Sequence, residues 1–184
     1  MMRYAKAVSC SVPAGNTLYP ALDGAYFAHC AVIHLSHAPV SALQAYRDMA
    51  MLVPGWFEAL MGVRNRVMRM LGMKDLGRID AAARGDDVRA GDKAGIFTVL
   101  GNAPNEIVLG DEDRHLRVAL SLQLEHQGAA TRLYCATVVE RPNLLGRLYM
   151  LPVDPIHRLI VPYLLRRYAR HLGNPSRIRT EDIP

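Results

Sequence analysis

Cysteine is scarce in this chain: three in 184 residues, at positions 10, 30 and 135, with no CxxC pair. An odd, widely spaced set excludes a disulfide framework and fits a reducing compartment. Aromatic residues make up only 7% and are not interleaved with the arginines, which argues against a stacking platform for single-stranded nucleic acid. The longest strongly apolar run, Leu159 to Leu165, is interrupted by Pro162 and is far shorter than the ~20 residues that cross a bilayer. Arg3 and Lys6 are not followed by an apolar stretch of signal-peptide length. The expectation is a soluble, unprocessed, cytoplasmic protein. Walker loops, GxGxxG and GxSxG are all missing, so the chain carries neither its own nucleotide fold nor a hydrolase elbow. His29, His34 and His37 lack HxxxH spacing and the cysteines stand apart in sequence, so neither a metal nor another cofactor is expected.

What is present suits one domain with a substantial core. Half of the residues are apolar and 21% are charged. The net charge of +5 lies in residues 141–184, where eight arginines face three acids. This basic strip suits an anionic ligand, a lipid headgroup or an acidic partner. Equally, it suits a helix whose arginines are solvated and favour its negative end.

Along the chain, residues 1–20 read as an extended lead-in and Ala25 to Leu35 as a strand. Ser41 caps a short helix to Ala50. A second helix runs from Pro54 to about Leu71, with apolar residues at three- and four-residue steps. Residues 74–95 hold several glycines and no sustained period, and read as a flexible loop suited to be a lid. Four β-type runs follow: Ile96–Leu100, Glu106–Leu109, His115–Glu125 and Thr131–Val139. Gly101-Asn102, Gly110 to Asp113 and Gln127-Gly128 supply turn signals, so these strands are antiparallel neighbours.

Leu116, Val118, Leu120, Leu122 and Leu124 alternate with polar or small residues, which predicts a strand with one buried face. Asp154 and Pro155 mark the start of a C-terminal helix, Gly173 and Pro175 its end, and Pro162 a kink. Residues 174–184 are a tail. The order is α+β: a curved antiparallel sheet that must cover one apolar face, and a long terminal helix able to do so. Such a pairing leaves room for a ligand pocket with few polar groups.

This order resembles the helix-grip fold of the START and Bet v 1-like superfamily. The segments PGWFEALMGVRNRVMRMLG (54–72), EIVLGDEDRHLRVALSL (106–122) and TVVERPNLLGRLYMLPVDPIHRLIV (137–161) are similar to a bacterial family, domain of unknown function 2867. The resemblance implies a helix-grip domain that occurs alone or behind NAD(P)-binding domains of the short-chain dehydrogenase type. It carries no established catalytic residues. At the superfamily level it implies binding of lipids, hormones or polyketides, with some cyclases and hydrolases, and a fold so widely reused does not fix a function.

Candidate chemistry gathers in three places. Asp113 and His115 share a strand face and suit an acid–base pair, or an ordinary polar strand entrance. Arg64 and Asn65 suit a polar anchor at a pocket mouth, or a fastening of helix to sheet. Asn143, Arg147, Tyr149, His157 and Arg158 surround the expected turn into the last helix, as a polar rim or as partners for its backbone. There, the helix N-terminus favours a neutral His157. Trp56, Leu120, Leu122 and Tyr163 complete the expected ligand-binding set. Three readings therefore stand together. One is a module binding a small hydrophobic or amphipathic molecule. Another is an acid–base enzyme (Asp113, His115, Tyr149, His157), or an accessory domain working with an NAD(P)-dependent oxidoreductase partner. The third is an interaction module whose basic helix contacts a membrane surface or an acidic partner.

Overall fold

Aromatic and β-branched residues over 25–35 form a long central strand in the computed structural model, which describes residues 6–35, 37–70, 88–112, 115–128, 130–140 and 142–173. The side chains of Glu58, Arg64 and 67–70 are outside that description. Asp113, most of the 74–95 segment and the 174–184 tail also lie outside the described residues. Seven strands make one antiparallel sheet: β1 (Val8–Cys10), β2 (Ala25–Leu35), β3 (Lys93–Ala94), β4 (Phe97–Ala103), β5 (Glu106–Glu112), β6 (Arg117–Gln127) and β7 (Ala130–Glu140). Their spatial order is β1-β2-β7-β6-β5-β4-β3. Helices α1 (Ala42–Met51) and α2 (Gly55–Met70) follow β2, and α3 (Leu144–Leu172) ends the described chain. The architecture is α+β, a helix-grip arrangement of one antiparallel sheet and a long C-terminal helix.

Local chemistry explains the elements. Ser41 caps α1 by accepting from the Gln44 amide at 3.1 Å. Gly128, at φ +59°, allows the tight β6–β7 connection. Two expected turns are not turns. Gly101-Asn102 lies inside β4, where the register with β5 shifts between Val99 and Gly101, and Pro104-Asn105 makes the connection. Gly110 lies inside β5, where Leu100 packs over it; a Cβ would stand 2.6 Å from Leu100 Cδ1 and oblige that side chain to shift. Glycine marked a bulge and a close approach rather than chain reversal.

The lead-in is also more structured than expected. Val8–Cys10 pairs with Ala31 and its neighbours as an edge strand, and Tyr19–Leu22 forms a 3-10 turn. Val12 and Leu18 pack on the sheet face opposite the helices, against Cys30, Val108, Ala119, Ala136 and Val138. Asn16 donates to Ser121 Oγ at 2.9 Å, and buried Glu106 accepts from Ser121 Oγ at 2.6 Å and Thr17 Oγ1 at 2.8 Å. Strand β6 is therefore covered on both faces near Ala119 and Ser121, not on the leucine face alone.

On the leucine face lies the main core. Ile33, Leu35, Leu122, Leu124, Leu133, Ile107 and Leu109 meet α1 and the second half of α3, through Tyr46, Ile160, Leu165 and Tyr168. A smaller cluster of Phe27, Val139 and Met150 joins the first half of α3 to the sheet.

The largest correction concerns α3. It begins eleven residues before the expected start, at Leu144, with Asn143 rather than Asp154 as its cap. Pro152, Pro155 and Pro162 all lie inside it. Each removes one N–H donor, at the carbonyls of Leu148, Leu151 and Arg158. Asp154-Pro155 has the composition of a helix start, but Asp154 instead accepts from Arg158 Nε one turn on, within the helix.

Candidate functional site

The two leucine-face clusters are separated by a polar seam. Along β2 the inward residues run Phe27, His29, Ala31; along β7 they run Val139, Thr137, Cys135; on α3, His157 lies between Val153 and Ile160. His29 pairs with Thr137, and Thr137 with Leu120, in one row across three strands. The His29 and His157 rings meet edge to face with centroids 5.4 Å apart, and the Phe27 ring meets His157 at 5.6 Å.

His29 and Thr137 are 5% and 4% exposed. His29 Nδ1, Thr137 Oγ1 and His157 Nδ1 are all buried without a hydrogen-bond partner among the described residues. Native interiors rarely leave such atoms unpaired, which makes this level the candidate site. His29 Nε2 lies 3.4 Å from Ser9 Oγ on β1.

Burial, and then the neighbouring imidazole of His29, push His157 down to about 4. Burial, and then the Arg158 guanidinium, push His29 down as well. Both rings are therefore neutral near pH 7 and able to donate or accept hydrogen bonds. The sequence suggested a neutral His157 from the dipole of a helix start. His157 instead sits fourteen residues past the cap, and desolvation is the cause.

Beyond the seam the row continues into packed side chains, and two pockets lie elsewhere, one on the opposite sheet face and one between Tyr26 and the start of α3. Leu120 and Tyr163 are only partly buried and pack against the edge of the main core. Trp56 on α2 meets Tyr163 with ring centroids 6.0 Å apart and is 53% exposed. Trp56 and Tyr163 thus meet, and Leu120 packs against the same main core as Tyr163. Leu122, expected in the same set, is 2% exposed and belongs to the closed core. Asn65 is partly buried on α2, and Arg64 lies on the same helix with its side chain outside the description.

The other predicted residues have structural positions. Asn143 Oδ1 accepts from the Gly146 amide at 3.0 Å, and its side-chain nitrogen lies 3.0 Å from His115 Nδ1. The Asn143 amide donates to the His115 carbonyl at 2.9 Å. His115 therefore fastens the entrance of α3, a union of two groups that the sequence kept apart. Asp113 lies outside the described residues, so the Asp113–His115 pair has no geometry here. Tyr149 packs beside Phe27, Val139 and Met150. Arg147 stacks over Tyr26 at 5.7 Å and Arg158 over Phe27 at 5.1 Å.

The cysteines expected to stand apart do not all do so. Cys10 and Cys30 face each other across β1 and β2, Sγ to Sγ 3.5 Å. Among the described residues, no group of three or more His, Cys, Asp or Glu side chains is arranged to hold a metal. No helix among them is long and apolar enough to cross a membrane.

Sequence reasoning missed His29 and Thr137 as site residues. The available signal was a polar residue at an inward position of each of two otherwise apolar strands. Their shared row depends on register, which pattern alone does not reveal.

Comparisons with known proteins place these features in context. No curated protein matches the chain. The crystal structure of CalU16 from Micromonospora echinospora is similar over 93% of this chain and 94% of that one, at 15% identity and a TM-score of 0.33. A family model described as "Protein of unknown function (DUF2867)" matches residues 21–164, most of the chain, and the protein belongs to that family.

Proposed function

We propose that the protein binds a small amphipathic molecule between the sheet and α3. The polar end rests on His29, Thr137 and His157, and the apolar part runs toward Leu120, Tyr163 and Trp56. The observation that carries this reading is the set of three buried, unpaired polar atoms at one level of an otherwise apolar interface. An oxygen that both donates and accepts, as in a hydroxyl or an uncharged carboxyl group, matches two neutral imidazoles and a threonine hydroxyl. Partly buried Leu120 and Tyr163 and half-exposed Trp56 are the apolar side chains over which the other end would lie. On this reading the protein is a binding module that works in the cytoplasm.

Native mass spectrometry of gently purified protein tests the reading. The expected result is an adduct of small-molecule mass that is released on unfolding and is reduced in a Thr137→Val, His157→Phe double variant. A bare protein mass under every gentle condition, with the variant indistinguishable, counts against it.

A further inference from the structure

The outward face of α3 is apolar where a solvated helix face is normally charged. Leu144, Leu148, Leu151 and Leu159 are between 60% and 85% exposed. Their spacing of four, three and eight residues puts them on one stripe, with exposed Pro155 filling the intervening turn. The stripe is about 22 Å long at the helical rise per residue. Tyr26 from β2 extends it sideways, and an open groove of about 770 Å³ runs between Tyr26 and the leucines. The sequence pattern hid this stripe, because the helix appeared to start at Asp154.

The net charge beside it is positive. Between Leu144 and Leu159 the exposed charged residues are Arg147 and Arg158, and Asp154, the acid of this stretch, is half-buried and bound to Arg158. We propose that this face docks on an anionic phospholipid surface. The leucines would enter the headgroup–acyl boundary and Arg147 would lie among the phosphates. Charge complementarity selects this occupant. Across a two-fold axis the face would meet itself, and Asp154, its acid, is already paired with Arg158, leaving Arg147 without an unpaired acid from this stretch. This surface is independent of the buried seam, so it stands or falls apart from the ligand reading.

Co-sedimentation of the full chain with phosphatidylglycerol–phosphatidylcholine vesicles tests the proposal. The protein should pellet with these vesicles at low salt, and binding should weaken steeply as salt rises. A Leu148→Glu, Leu151→Glu double variant should lose binding by at least about tenfold with an unchanged thermal transition, since both positions face solvent. Arg147→Ala should lose about fivefold. Failure of the wild type to pellet at low salt overturns the proposal. So does equal binding by the double variant. A concentration-dependent dimer that the double variant abolishes, without vesicle binding, overturns it in favour of a second copy.

Discussion

The His29 and His157 rings meet edge to face at 5.4 Å, with an interplanar angle of 86°. One stands on the second strand and the other in the middle of the terminal helix, so this contact joins sheet to helix with titratable groups. Its energetics depend on both rings staying neutral.

Acid should therefore loosen the grip. His157 is held at about 4 against an ordinary 6.5. An unfolded chain takes up its proton as pH falls below 6.5, while the folded chain resists until about 4. The contribution is complete above 6.5 and is lost as pH falls through that window, on the order of 3 kcal/mol. Urea unfolding across the window should show a steeper loss of stability for the wild type than for His157→Phe. Parallel profiles would contradict the assignment.

Burial along α3 separates two leucines of equal composition. Leu165 is fully buried and Leu159 is mostly exposed. Leu165→Ala should cost about 2–5 kcal/mol, and Leu159→Ala no more than about 0.5 kcal/mol. Chemical denaturation midpoints give the comparison, and equal losses would mean that the helix does not pack as described.

Gly146 is required by contact with the strand entrance. A Cβ there would lie 2.5 Å from the His115 carbonyl oxygen, whereas Gly62 on α2 has open space around it. Gly146→Ala should destabilise by about 1–3 kcal/mol. Gly62→Ala should be neutral or stabilise by up to ~1 kcal/mol. Thermal unfolding of the two variants distinguishes a specific contact from a general intolerance of alanine.

The Cys10–Cys30 pair makes a redox prediction. Burial raises the Cys30 thiol well above its ordinary range, while Cys10 is partly exposed, so oxidation should begin at Cys10. Mild oxidation should then form an intramolecular disulfide between them, leaving buried Cys135 as a thiol. Peptide mapping by mass spectrometry reads this directly, and Cys10→Ser should leave Cys30 reduced under the same treatment.

Period-two alternation made β6 legible, and turn chemistry at Gly128 and the Ser41 cap located their elements. The family motifs agreed with the match over 21–164. Other features were hidden for physical reasons. Asp154-Pro155 imitates a helix start although the helix runs through it from Leu144. Gly101 and Gly110 imitate turns although they serve a bulge and a tight contact. Trp56 and Tyr163 were legible as bulky apolar residues at helical spacing, and they do meet. His29 and Thr137 were not legible as a site, because their meaning comes from the register of β2 on β7 and from the helix laid across it.

The most direct measurement is a high-resolution crystal structure of gently purified protein, inspected at His29 Nδ1, Thr137 Oγ1 and His157 Nδ1. The account predicts density for a small molecule whose polar atom contacts these three groups and whose apolar part reaches Leu120 and Tyr163. Continuous side-chain packing along that path, with the three atoms paired to protein or to a single water, would contradict it.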